Sequence, residues 1–250
     1  MVTGFKIRFL FLFLWAAAAL MALDPSRQIT QYSIQGWNMQ TGLPGNSVFA
    51  VQQTPDGYLW LGTPDGLVRF DGIDFLRYSR EKSPSVKITE ARALYVDHEG
   101  TLWIGATFEG LIRYKAGEFT TYPVATYKSL DKIRAIEEDP DGNLWIGSIT
   151  GGLTRLSQGK FTTYTTSEGL PDNEVRAIYK DSKGCLWITT KAGIVKMSEP
   201  GIFQAEVIQK DFPHYMTVCL YHAEQEVLWV GWILDSPIHA VTCRTAVEKS

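Results

Sequence analysis

The sequence predicts an all-β fold: a β-propeller of four-stranded antiparallel blades, with about five repeats present and forming a partial ring. Two observations carry this. Tryptophans at positions 60, 103, 145, 187 and 229 follow one another at intervals of 43, 42, 42 and 42 residues, and one short pattern stands around each of them. The composition agrees: 22 Gly and 11 Pro, with 12% aromatic residues, suit many short strands joined by tight turns.

The pattern reads Asp56-Gly57-Tyr58-Leu59-Trp60-Leu61-Gly62-Thr63 in its first copy and Glu99-Gly100-Thr101-Leu102-Trp103-Ile104-Gly105-Ala106 in its second. Later copies centre on Trp145 and Trp187, and a degenerate one on Trp229. Upstream of each lies an alternating segment, such as Ala91-Arg92-Ala93-Leu94 or Ile133-Arg134-Ala135-Ile136. Downstream comes a Gly-Leu-x-Arg-aromatic segment, as in Gly110-Leu111-Ile112-Arg113-Tyr114. In three copies an aromatic pair follows: Phe75 and Tyr78, Phe119 and Tyr122, Phe161 and Tyr164. Glycine-containing pairs between these segments supply the positive φ of hairpin turns, so each copy reads as four short strands. The expected blades are 44–78, 87–122, 129–164, 171–203 and a degenerate 213–232; residues 233–250 carry no blade pattern. A blade apolar on both faces must stack on neighbours, which assigns the tryptophans to packing between blades. The glycine two residues after four of them (Gly62, Gly105, Gly147 and Gly231) would let backbones approach closely.

Upstream of the first blade, Ile34 and Trp37 align with Phe161 and Tyr164, as an orphan outer strand able to complete the last blade of a closed ring. The N-terminus reads as a secretory signal over residues 1–22. Lys6 and Arg8 precede an apolar run over 9–23, too short to span a bilayer as a regular helix, and small residues surround a cleavage point after Ala22. An uncleaved anchor is the rival reading; both place the body outside the cytoplasm. A formal net charge of −3 argues against a nucleic-acid surface. Three cysteines (Cys185, Cys219, Cys243) suggest neither a disulfide framework nor a zinc site, although one bridge of unassigned pairing is open.

These motifs resemble the two-component regulator propeller repeat. The resemblance rests on Thr41-Gly42-Leu43-Pro44-x-Asn46-x-Val48, its copy from Glu168 to Val175, the Asp-Gly-x-Leu-Trp-Ile-Gly-Thr core and the Gly-Leu-x-Arg-Phe/Tyr segment. It covers residues 31–200 well and 201–232 weakly. It implies the periplasmic sensor region of a hybrid histidine kinase or diguanylate cyclase, binding a small-molecule or carbohydrate-type ligand without turnover. The full-length form would be membrane-anchored and dimeric. The chain then reads as the N-terminal portion of a longer protein, with no output module among its residues. A rival of another class is an exported propeller lyase acting on a cyclic peptide or polysaccharide, and a third is a protein-interaction scaffold.

No catalytic constellation, cofactor motif or metal-ligand spacing stands out, and His98 falls at a turn. Arg92, Arg134 and Arg176 recur on the innermost predicted strand, where Phe49 stands in the first copy. They read either as a basic ring attracting an anionic ligand or as structural partners of carboxylates on adjacent blades. The loops leading into those strands hold Asn46, Glu90, Asp131, Lys132, Asn173 and Glu174. Of these, Asn46 and Asn173 join the three arginines as candidate ligand contacts.

Overall fold

A computed structural model describes residues 36–78, 86 and 88–204 in full, and the backbone of 205–208, 215–223, 227–234 and 242–246. The chain divides into residues 1–36 and Trp37–Ser250. Of the first unit only Gly36, outside any helix or strand, is described, so the expected signal at 1–22 and most of the orphan strand lie outside the described residues.

Among the described residues of the second unit, nineteen strands follow one another. The first sheet holds β1 (Ala50–Gln53), β2 (Leu59–Thr63), β3 (Gly66–Phe70) and β4 (Phe75–Tyr78). The second holds β5 (Ala91–Val96), β6 (Leu102–Ala106), β7 (Leu111–Lys115) and β8 (Glu118–Tyr122). The third holds β9 (Ile133–Glu138), β10 (Leu144–Ser148), β11 (Gly152–Ser157) and β12 (Lys160–Tyr164). The fourth holds β13 (Val175–Lys180), β14 (Leu186–Thr190), β15 (Gly193–Glu199) and β16 (Ile202–Ile208). A three-stranded sheet follows, with β17 (Tyr215–Ala223), β18 (Val227–Leu234) and β19 (Thr242–Ala246). Strands pair antiparallel with their sequence neighbours and no strand crosses between sheets. The inner strands pack in series, β1 on β5, β5 on β9, β9 on β13 and β13 on β17. The fold is an all-β propeller of four-stranded blades forming a partial ring.

Local sequence accounts for the turns. Ala116 and Gly117, and again Gln158 and Gly159, both adopt positive φ, the pairing that a two-residue turn needs to match strand twist. Second strands are buried along their whole length in β6 and β10, because a blade covers each face. Outer strands β8 and β12 bury no residue fully.

Each interface has its own core. Trp60 packs with Leu94, Leu102 and Ile104 of the next blade, Trp103 with Ile136, Leu144 and Ile146, and Trp145 with Ile178, Leu186 and Ile188. Indole stacks on the tyrosine that ends its own blade: Trp60 on Tyr78, Trp103 on Tyr122, Trp145 on Tyr164. That tyrosine meets the first aromatic of the next outer strand edge-on, Tyr78 on Phe119, Tyr122 on Phe161 and Tyr164 on Phe203. Trp37 meets Phe75 in the same way at 6.5 Å, so it does for the first blade what Tyr164 does for the fourth. Trp229 opposes Tyr221 and Thr245 in the backbone register, the place that Trp187 holds between Tyr179 and Lys196.

Two features go beyond the repeat pattern. β18 and β19 extend the last sheet into residues 233–250, the segment without a blade signature. Cys219 and Cys243 both face Gly231 from opposite sides, two strand spacings apart, or about 10 Å. That separation exceeds the Cα range of a disulfide, which removes this pairing from those the sequence leaves open.

The first blade shows what a covered face requires. Val51 is 53% exposed, whereas its equivalents Leu94, Ile136 and Ile178 are 7%, 7% and 9% exposed beneath the preceding blade. The glycines set how closely blades approach. A Cβ on Gly147 would lie 2.5 Å from Cγ1 of Val175, and on Gly105 2.4 Å from Cγ2 of Ile133. Gly147→Ala therefore costs about 1–3 kcal/mol of unfolding free energy by overpacking. In urea titrations, Gly147→Ala combined with Val175→Ala should lose less than the sum of the single losses; strict additivity would show that the contact does not limit the approach.

Candidate functional site

The arginines stand at a backbone irregularity that recurs in the inner strands β5, β9, β13 and β17. In the second blade Ala91 pairs with Ala106 and Ala93 with Gly105, which leaves Arg92 as an extra residue in the ladder. The same shift isolates Arg134 between Ile133 and Ala135, Arg176 between Val175 and Ala177, and Val218 between Thr217 and Cys219. Phe49 precedes the first paired residue of β1 and donates its N–H to the Gly62 carbonyl at 2.8 Å. A bulge of this kind re-aims the side chain it carries. The bulge side chains of neighbouring blades meet: the Arg92 guanidinium lies 4.0 Å from the centre of the Phe49 ring.

The three arginines are not equivalent. Arg92 is paired with Glu90, and Arg176 with Glu174, in each case the residue two positions earlier in the same chain segment. The third blade has Lys132 at that position, and among the described residues Arg134 has no carboxylate within ion-pair distance. Burial lowers the pKa of Arg134, with Arg92 and Arg176 adding to the effect and Glu90 and Glu174 opposing it. Five charged groups from three blades therefore bear on one another. The expectation of pairing across adjacent blades is corrected for Arg92 and Arg176, whose carboxylates are local. Nε of Arg176 is buried without a hydrogen-bond partner.

Asn46 and Asn173 have a different task. The Asn46 carboxamide oxygen accepts from Met39 N at 3.2 Å, and that of Asn173 from Thr166 N at 2.9 Å. Each pins a single 3-10 turn, capped by Asn38 or Thr165 and closed by Gly42 or Gly169 at φ of 101° and 98°. Leu43 and Leu170 follow and are buried. This turn accounts for both asparagines and for the Gly-Leu-Pro-x-Asn spacing around them.

On the opposite end of the blades the tryptophan indoles have partners that the sequence reading passed over. Trp103, Trp145 and Trp187 donate Nε1–H to Asp97, Asp139 and Asp181 at 2.8, 2.8 and 3.0 Å, and Trp60 donates to Thr54 at 2.9 Å. The partner always lies six residues earlier. Its other oxygen accepts from the turn, as Asp139 Oδ1 does from Asp141 N and Asn143 N. Burial pushes the Asp181 pKa up, but Trp187, the N–H groups of Cys185 and Lys183, and the charge of Lys196 together hold it below the ordinary value. The signal was present as a residue spaced six before each Trp.

His98 is not merely a solvated turn residue. Its Nδ1 lies 2.5 Å from Oε1 of Glu138 on the next blade, and its backbone N–H donates to Oε2 at 2.9 Å. The hydrogen bond, then the charge of Glu138, raises the His98 pKa. Nearby, burial raises the pKa of Glu137 and, first among several causes, that of Tyr95. Lys180 Nζ donates to the Glu138 carbonyl at 2.6 Å, continuing the tie into the fourth blade.

Away from these groups an open groove of about 740 Å³ runs along β12, lined by Tyr127, Lys128, Ser129, Thr150, Lys160 and Thr163 among others. None of the sequence-predicted candidates lines it. Among the described residues no group of three or more His, Cys, Asp or Glu side chains is placed to hold a metal, and no helix is long and apolar enough to cross a membrane.

The two component regulator propeller family matches residues 42–65, 128–150 and 169–192. These matches coincide with the first, third and fourth blades, each from its capped turn or leading loop to the turn after the Trp strand. Among solved structures, the chain resembles the extracellular domain assigned to a hybrid two component system of B. thetaiotaomicron. The identity is 24% over 83% of this chain and 31% of that one, with a TM-score of 0.68. An extracellular domain assigned to a one component system of the same organism is 22% identical over 80% of this chain and 31% of that one, with a TM-score of 0.65. Virginiamycin B lyase from Staphylococcus aureus is 19% identical over 82% of this chain and 70% of that one, with a TM-score of 0.59. These likenesses concern the fold. The chain spans about a third of the length of the two B. thetaiotaomicron domains. A comparison with curated proteins finds no match.

Two outcomes follow for these blades. Asp139→Ala removes the acceptor for a buried indole N–H and for two turn amides, and should cost about 1–3 kcal/mol in urea unfolding; an unchanged midpoint would mean that water replaces the carboxylate. The His98 pKa is raised on folding, so its stabilisation is fully present below the unfolded value of 6.5 and is lost as pH rises through the folded value. The stability difference between wild type and His98→Gln should thus be larger at about pH 5.5 than at about pH 8.5. Equal differences at the two pH values would show no linkage.

Proposed function

We propose that this chain is the extracytoplasmic ligand-sensing propeller region of a bacterial two-component or cyclic-di-GMP signalling sensor, acting by binding and not by turnover. The match of three blades to the two component regulator propeller family carries this reading. The fold likeness to extracellular domains of such systems supports it. The secretory signal read over residues 1–22 fits an exported protein, and the net charge of −3 fits a partner other than nucleic acid. The ligand in this reading is a small molecule of carbohydrate type, and the longer protein is anchored in the membrane and dimeric, with the output chemistry on another part of it. The recurring inner-strand bulge is the natural place for ligand contacts. It holds a variable side chain (Phe49, Arg92, Arg134, Arg176) on a rigid strand.

A second reading, a lyase acting on a cyclic peptide or polysaccharide, draws on one observation: virginiamycin B lyase shares the fold over 70% of its own chain. The two differ in the fate of the ligand. Screening an oligosaccharide and cyclic-peptide panel by thermal shift, followed by mass spectrometry of each hit after prolonged incubation, should return the hit unchanged; a cleaved or eliminated product would transfer the chain to the lyase reading. Export is tested separately. Alkaline phosphatase fused after Ser250 should be active in whole cells, since it needs the disulfides of an oxidising compartment, and inactive when residues 1–22 are deleted. An inactive full-length fusion would overturn the extracytoplasmic placement.

A further inference from the structure

We infer that Arg134 is the anion-binding residue of this propeller and that its ligand carries a single carboxylate. The inference deepens the binding reading at the same inner-strand bulge.

Charge and geometry lead to it. Three guanidinium groups on consecutive inner strands face two carboxylates, and the pairing is unequal: Glu90 takes Arg92, Glu174 takes Arg176, and Arg134 between them has none among the described residues. Evenly shared neutralisation would need a third glutamate at position 132, where the chain has Lys132. Arg134 stands at a ladder bulge, where its side chain is turned out of the alternation that packs Ile133 and Ile136 into the interface. A half-buried guanidinium with five donors, pressed by two like charges, gains from any oxyanion that enters. The flanking carboxylates set how much negative charge is tolerated. One net positive charge accommodates one negative charge, and a dianion would meet Glu90 and Glu174 as repulsion. A planar carboxylate also matches the guanidinium fork in both donors. Phe49, partly exposed beneath the Arg92 guanidinium, closes the row with an apolar ring rather than another charge. The ligand class is thus a monocarboxylate, such as an acidic sugar.

D-glucuronate and D-glucose, which differ by the carboxylate, are the probes, with inorganic phosphate as the dianionic comparison. Isothermal titration of the purified chain should show glucuronate binding at least tenfold tighter than glucose and than phosphate. Arg134→Gln should abolish that advantage with its melting temperature unchanged. Glu90→Gln combined with Glu174→Gln frees two guanidinium groups, and should raise phosphate affinity at least tenfold, a gain that misfolding cannot mimic. Glucuronate binding that equals glucose binding, or survives Arg134→Gln intact, overturns the anion site; so does phosphate affinity unmoved by the double variant. In each of those cases a hit in the saccharide panel would still leave the sensor reading standing, so the two ideas fail independently.

Discussion

The contact between one blade's tryptophan face and the next blade's inner strand is the constraint on which everything else rests. An indole can be fully buried only if the neighbouring sheet lies flat against it, and that needs the glycine two residues on to carry no Cβ. Gly62, Gly105 and Gly147 meet Ala91, Ile133 and Val175 at distances that no side chain would permit. The indole N–H then needs an acceptor, because an unpaired donor in such an interface costs more than the ring gains by a few extra contacts. Asp97, Asp139 and Asp181 supply it while also closing the turn that begins the Trp strand. One residue thus couples the local hairpin to the packing between blades. The fourth blade departs from this scheme at Thr189, which replaces the glycine and accepts from Ala177 N through its hydroxyl.

Much of this was legible in the sequence, for a physical reason. A repeat whose units all solve the same packing problem writes that solution at a fixed period, so the Trp lattice, the hairpin glycines and the blade order could be read from position alone. Other features depend on register. That Arg92, Arg134 and Arg176 are bulged, and not ordinary ladder residues, follows from which partner each neighbour faces, and spacing says nothing about it. Polarity misled in two places. Asn46 and Asn173 look like loop residues awaiting a ligand, yet each spends its carboxamide oxygen on a 3-10 turn. The aspartates six before Trp were periodic too, but a turn explains an Asp so readily that its second oxygen drew no notice.

The open side of the first blade follows from the same packing rule. Val48 and Val51 occupy positions that are buried in the second, third and fourth blades, and both are exposed here. The 37–43 segment covers only the outer part of that face: Leu43 joins Leu61, Val68 and Phe75, and Trp37 lies edge-on against Phe70 and Phe75. The cover stops where a neighbouring blade's tryptophan would start. The apolar positions on the inner half of the first blade are the counterparts of those that an indole-bearing strand covers in the second, third and fourth blades.

Stacking also explains how chemistry can vary at the inner edge without cost to the scaffold. This inner position accepts different residues on similar backbone: Phe49, Arg92, Arg134 and Arg176 occupy it in the first four blades, and Val218 stands at the register shift of β17. The residue two positions earlier decides whether that group is available. A glutamate there, as at Glu90 and Glu174, ties the arginine to its own blade; with Lys132 at that place, Arg134 has no such tie among the described residues. Two residues per blade therefore set both the chemistry displayed and its electrostatic strength. The tryptophan interfaces that carry the stability sit one strand further out and are untouched by either choice.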